Sequence, residues 1–175
     1  MIDIKSEKRN TLTLVLFAVY LLALVWLILF KLQFSIAVMD GRVVNLIPLL
    51  GSFDNNGVLR FSEIRNNILV FIPLGIYIGM LKSKWSFAKK VLATVVLTLA
   101  FEITQFIFAI GRADITDVLS NTLGGVIGIG IYALLFKLMK GRTNKVLNIL
   151  ATVLTALIIL FVALLLVNQR WVLIQ

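Results

Sequence analysis

The chain has 175 residues, 61% of them hydrophobic, with a mean hydropathy of +1.05 and a formal net charge of +9. A soluble domain carries roughly 45–50% apolar residues, so this chain has more apolar surface than one small core can hide, and the bilayer is its solvent. There is no Cys and no His, which excludes disulfides, thiolate chemistry and the usual neutral-pH base.

The segment Met1–Asn10 is short and basic, and the apolar run 11–30 that follows has a spanning length. That run is longer than a signal-peptide core and no small-x-small cleavage site precedes Lys31, so it reads as a retained first helix. The connection 31–61 holds Asn45-Leu46-Ile47-Pro48, too apolar for a freely solvated loop and suited to the membrane interface. It also holds Phe53-Asp54-Asn55-Asn56-Gly57, a turn signal built from residues that tolerate left-handed backbone. A second helix is predicted over 62–81, with Ser62 as its cap and Glu63 where the helix dipole favours a carboxylate. Asn66 and Asn67 lie about one turn in, and Pro73 inside the run predicts a kink.

After a basic loop at 82–90, a third helix is predicted over 91–110, with Glu102 and Gln105 in its second half. Gly111–Thr116 reads as a tight polar turn, 117–137 as a fourth helix, and 140–145 as another basic loop. The fifth predicted helix, 146–167, is nearly featureless, which suits a lipid-facing position. The fold class is therefore an all-α polytopic membrane helix bundle of five transmembrane helices in a single domain, with no internal repeat legible.

Charge sets the expected orientation. Numbered alternately, one set of flanks receives Lys5, Lys8, Arg9, Lys82, Lys84, Lys89, Lys90, Lys137, Lys140, Arg142 and Lys145. The other set receives only Lys31, Arg42, Arg60, Arg65, Arg112 and Arg170. The positive-inside rule places the first set, and the N-terminus, in the cytoplasm, and the C-terminus outside. The basic residues are thus explained by topology and anionic lipid, and no nucleic-acid partner is expected.

With that orientation the polar groups fall in the outer leaflet. Glu102 lies about 12 Å below the outer end of its helix, and polar groups at such depths are costly enough to need a reason. Thr94, Thr98, Glu102, Gln105 and Ala109 form one stripe on the third helix, and Asp117, Asn121, Gly124 and Gly128 form one on the fourth. The short connection makes these helices antiparallel neighbours whose stripes face each other, and Gly124-x-x-x-Gly128 permits close approach. Asp114, three residues before Asp117, suits a cap, and Arg112 is close enough to pair with Asp114, Asp117 or Glu102. The candidate polar pocket is Asn45, Asn66, Asn67, Glu102, Gln105, Arg112, Asp114, Asp117 and Asn121. Gly124, Gly125 and Gly128 serve packing, and Ser120 is read as packing or lipid-exposed. The bland alternative is that the polar residues only hold helices together, each bond contributing about 0.6 kcal/mol. It explains individual residues but not their concentration in one leaflet.

Several blocks carry a family resemblance. Asn45-Leu46-Ile47-Pro48, Arg65-Asn66-Asn67-Ile68, Phe71-Ile72-Pro73-Leu74-Gly75, Glu102-Ile103-Thr104-Gln105, Gly111-Arg112 with Asp114, and Asp117 through Gly125 together resemble the VanZ-like membrane proteins, over about 45–130. Ser120 stands where that family more often has an apolar residue. The resemblance implies a small multi-pass protein of the bacterial cell membrane, in a family whose named member is associated with resistance to the glycopeptide teicoplanin.

Two functions compete. The first is a non-enzymatic protein whose outer-leaflet pocket binds a lipid headgroup, a lipid-linked cell-wall precursor or a lipoglycopeptide tail. The alternative is an intramembrane enzyme modifying lipid headgroups, with Glu102, Asp114 and Asp117 as acid–base groups or as oxygen ligands for a hard cation. No strong nucleophile and no complete metal motif is visible, so neither a cofactor nor a resident metal is expected. A transporter has a thin basis in one mid-depth acid.

Overall fold

The computed structural model describes residues 4–30, 43–50, 53, 57, 61–110 and 112–172. In chain order the elements are α1 (Ile4–Phe30), β1 (Val43–Asn45), α2 (Phe61–Leu81), α3 (Phe87–Phe108), β2 (Arg112–Asp114), α4 (Ile115–Met139), a 3-10 turn at Lys140–Arg142, and α5 (Thr143–Val172). Four continuous helical segments are long and apolar enough to cross a membrane, and the last, Ile115–Leu164, contains the 3-10 turn that separates α4 from α5. The expected turn at Asp54–Asn56 lies outside the described residues.

The boundaries follow local chemistry. α3 starts four residues before the hydropathy pattern suggests, because Ser86 is extended and its side chain accepts from the amide of Lys89. Lys89 and Lys90 are therefore helical, not loop. α3 ends where Ala109 turns left-handed at φ 51° and Ile110 N donates to Gln105 O. Ser62 is not a cap: α2 already begins at Phe61, with Glu63 in its first turn as expected. Pro73 sits inside α2. Proline loosens the carbonyls one turn back, and the Tyr20 hydroxyl of α1 donates to one of them, Val70 O, at 2.8 Å.

The most extensive helix contact is between α2 and α4. A Cβ on Gly75 would strike the carbonyl of Gly125, and one on Gly128 would strike the carbonyl of Ile72. The backbones therefore touch, the close approach that packs helices where hydrocarbon surrounds them. Gly124 likewise abuts Ile68 of α2, so the two glycines of the α4 stripe serve α2, not the α3 stripe expected to face them; Gly125, outside that stripe, meets Thr94 of α3. Around this seam Leu24, Phe71, Leu74, Ile78 and Phe101 form one buried cluster, with Phe71 and Phe101 edge-to-face at 6.4 Å. Leu16, Tyr77, Met80 and Tyr132 form a second. α5 is held more loosely. Its buried Asn148 and Thr13 of α1 exchange hydrogen bonds at 2.9 and 3.1 Å, while Ile158 and Phe161 are each 62% exposed.

The strands were not anticipated. β1 and β2 pair in parallel, with Val43 opposite Arg112, Val44 opposite Ala113 and Asn45 opposite Asp114. The seam contacts Ile68 to Gly124 and Ile72 to Gly128 make α2 and α4 parallel as well. α1–β1–α2 and α3–β2–α4 are thus two copies of one helix–strand–helix plan. Asn67 precedes Gly75 by the same spacing as Asp117 precedes Gly125, and the two glycines meet. The repeat escapes the sequence because it is carried by a few positions within two uniformly apolar backgrounds.

Candidate functional site

The polar residues gather at the end of the bundle that carries the strand pair. Asp114 is the centre. It is the N-cap of α4, its Oδ1 accepting from Thr116 N at 2.8 Å. Asn45 does the same one copy earlier, its Oδ1 accepting from Ile47 N at 3.2 Å. The two side chains are joined directly, Asn45 Nδ2 donating to Asp114 Oδ2 at 2.9 Å. Thr116 Oγ1 then accepts from Leu49 N at 2.9 Å. This fixes Leu49 at φ 67°, a conformation that costs a non-glycine residue about 1–3 kcal/mol.

Glu102 comes from α3 and is 6% exposed. Its Oε2 accepts from the backbone amide of Asp114 at 2.8 Å. Glu102, Asp114 and Asp117 therefore all stand at the N-terminus of α4, where unpaired amides and the helix dipole stabilise negative charge. Asp117 Oδ1 accepts from Asn67 Nδ2 of α2 at 2.7 Å. The two Asn–Asp links, Asn45 to Asp114 and Asn67 to Asp117, each join equivalent positions of the two copies.

Deeper along α3, Thr94, Thr98, Glu102 and Gln105 are all buried, as the stripe predicts. Asn121 is 3% exposed and donates through Nδ2 to Thr98 Oγ1 at 2.8 Å, so α3 and α4 do meet there. Gln105 donates through Nε2 to Ile28 O of α1 at 3.2 Å. In both amides the other end is orphaned: Gln105 Oε1 and Asn121 Oδ1 are buried without a donor, as is Thr122 Oγ1. A buried acceptor without a partner costs about 1–3 kcal/mol, so each needs an explanation.

The remaining candidates fall elsewhere. Asn66 is exposed on α2 and accepts from Arg65 Nη2 at 3.5 Å, so it does not join Asn67 in the network. The backbone of Arg112 pairs within β2, but its side chain, and with it the expected ion pair, lies outside the described residues. Ser120 is buried, and its hydroxyl donates to Asp117 O at 3.2 Å. Among the described residues no group of three or more carboxylates is placed to hold a metal ion. Thr116 was missed from the sequence, although Asp followed two residues later by Thr at a helix start signals a capped turn.

Chemically the cluster is rich in acceptors. Among the described residues the amides of Asn45 and Asn67 donate to its carboxylates, and two of its amide oxygens, Gln105 Oε1 and Asn121 Oδ1, have no donor. It suits a ligand that brings hydroxyl, amide or ammonium donors better than one that brings only a phosphate.

Comparison with known proteins adds an independent line. A family model described as VanZ/LLP1 matches residues 17–137. The chain is 39% identical over 150 residues to "Protein VanZ" of Enterococcus faecium, an alignment covering 83% of this chain and 89% of that protein. No solved structure matches.

Proposed function

The chain belongs to the VanZ/LLP1 family, and from that premise we propose that it is a five-span protein of the bacterial cell membrane that binds a donor-rich headgroup at its strand-bearing end. The N-terminus and the lysine-rich end face the cytoplasm, following the positive-inside rule, and the polar network faces outward. The observation that carries the binding reading is the pair of orphaned acceptors, Gln105 Oε1 on the α3 stripe that holds Glu102 and Asn121 Oδ1 on α4, whose amide bonds to Thr98 of that stripe. Helix gluing alone would be served by apolar side chains there. A lipid-linked cell-wall precursor, with sugar hydroxyls and peptide amides, supplies the matching donors. A lipid headgroup or a glycopeptide bound to the membrane offers the same chemistry. The exposed apolar turn Leu46, Ile47 and Leu50 lies beside Asn45 and suits contact with the interfacial region that such a ligand occupies.

The hydrogen bonds engaging Glu102, Asp114 and Asp117 favour binding over acid–base catalysis. Each carboxylate is held by an amide. A link to resistance against teicoplanin-type glycopeptides follows from family membership and sequestration or shielding of the precursor. Expression in a sensitive host tests it. Wild type raises the inhibitory concentration of teicoplanin and the Glu102→Ala/Asp117→Ala double variant, present in the membrane in equal amount, does not. Equal protection by both would remove this site from the function.

A further inference from the structure

The opposite end of the bundle holds a second pocket. It lies between α1, α2 and α3, has a volume of about 260 Å³, and is lined by Phe17, Leu21, Leu74 and Ala93 together with Lys82 and Trp85. Lys82 and Trp85 belong to the ordered turn after α2, where Lys82 N donates to Ile78 O and Trp85 N to Lys82 O. Both are exposed, and the Lys82 Nζ stands 5.2 Å from the centre of the Trp85 ring. The turn also carries Lys84, and Lys89 and Lys90 follow in the first turn of α3. No acidic residue lies between Glu63 and Glu102 in the sequence, so the turn itself is purely basic. A tryptophan at a helix end beside lysines is the pattern of a group held at the level of lipid headgroups.

We propose that this is a binding site for one anionic phospholipid, an acyl chain filling the pocket and its phosphate meeting Lys82. The apolar wall and the exposed lysine are adjacent, as an amphiphile with a negative head requires. A larger cleft of about 500 Å³ between α1, α2 and α5 has no charged residue in its lining, so it accepts hydrocarbon without selecting a headgroup. The site is distinct from the polar network and does not depend on what that network binds.

The test uses a full-length variant whose Trp85 is its one tryptophan, made by Trp26→Phe and Trp171→Phe. It is reconstituted into vesicles of phosphatidylcholine mixed with phosphatidylglycerol, one or the other brominated on its acyl chains, and quenching of Trp85 is read. Brominated phosphatidylglycerol is expected to occupy the site about fivefold more strongly than brominated phosphatidylcholine, the worth of one lysine at a membrane surface. Lys82→Gln brings the ratio near one. Ala93→Leu, which fills the pocket and leaves every lysine in place, also lowers it. Lys145→Gln, on another helix, leaves it unchanged. A ratio near one in the parent variant overturns the proposal. So does an equal fall with Lys82→Gln and Lys145→Gln, which would mean diffuse charge attraction, or a ratio indifferent to Ala93→Leu.

Discussion

Replacing Asn121 by Leu and Thr98 by Val should make the empty protein more stable and less able to function. The wild-type pair makes one hydrogen bond, Asn121 Nδ2 to Thr98 Oγ1 at 2.8 Å, and leaves Asn121 Oδ1 buried without a donor. Bonds of this kind between membrane helices contribute about 0.6 kcal/mol on average. The orphaned oxygen costs about 1–3 kcal/mol. Removing both with side chains of similar shape therefore gains roughly 0.5–2 kcal/mol if the new methyl groups pack as well. Unfolding of the purified protein in mixed micelles, titrated with sodium dodecyl sulfate, measures the difference. Teicoplanin protection by the same variant, expressed to the same level, measures the function. A stabilised variant without activity is the signature of a polar group kept for a ligand at the expense of stability. A variant that is destabilised and fully active would show that Asn121 is a structural amide and not one kept for a ligand.

Three further outcomes follow from the geometry. Gly128→Ala drives a Cβ into the carbonyl of Ile72 and should destabilise by about 1–3 kcal/mol, whereas Gly130→Ala, with nothing within 4 Å, should be neutral or slightly stabilising; the same unfolding titration reads both. Asn67→Asp sets two carboxylates at the 2.7 Å contact with Asp117 and should destabilise at neutral pH, and adding Asp117→Asn should restore stability because the amide–carboxylate pair is re-formed in reverse. Asp114→Ala removes a helix cap and the link to Asn45, costing about 0.5–2 kcal/mol for the cap alone, and should speed hydrogen exchange at the amide of Thr116, which bonds to Asp114, and at that of Leu49, which bonds to Thr116.

The helices were legible in the sequence because apolar runs of spanning length leave little choice of structure. Their ends were less so. Ser86 begins α3 among lysines that a hydropathy average assigns to a loop, and α4 begins at the residue after Asp114. The stripe Thr94–Thr98–Glu102–Gln105 was readable from helical spacing, and all four side chains are buried. The role of Asn45 was not, because its partner Asp114 is 69 residues away and three-residue strands show no period-two pattern. Asn66 and Asn67 could not be separated by type or position; one turn of helix sends Asn67 to Asp117 and leaves Asn66 exposed. The glycines of α4 announced a close contact, but the short connection pointed to α3 as its partner, whereas Gly124 and Gly128 meet the parallel helix α2, which is distant in sequence.

Direct binding is the closest test of the polar network as a headgroup site. Purified protein in detergent is mixed with a polyprenyl-linked disaccharide–pentapeptide, or with the polyprenyl phosphate alone, and complexes are counted by native mass spectrometry. Wild type is expected to retain the glycosylated lipid in preference to the bare phosphate, and Glu102→Ala/Asp117→Ala to lose this preference. Equal retention of both lipids, or equal retention by wild type and the double variant, would contradict that assignment.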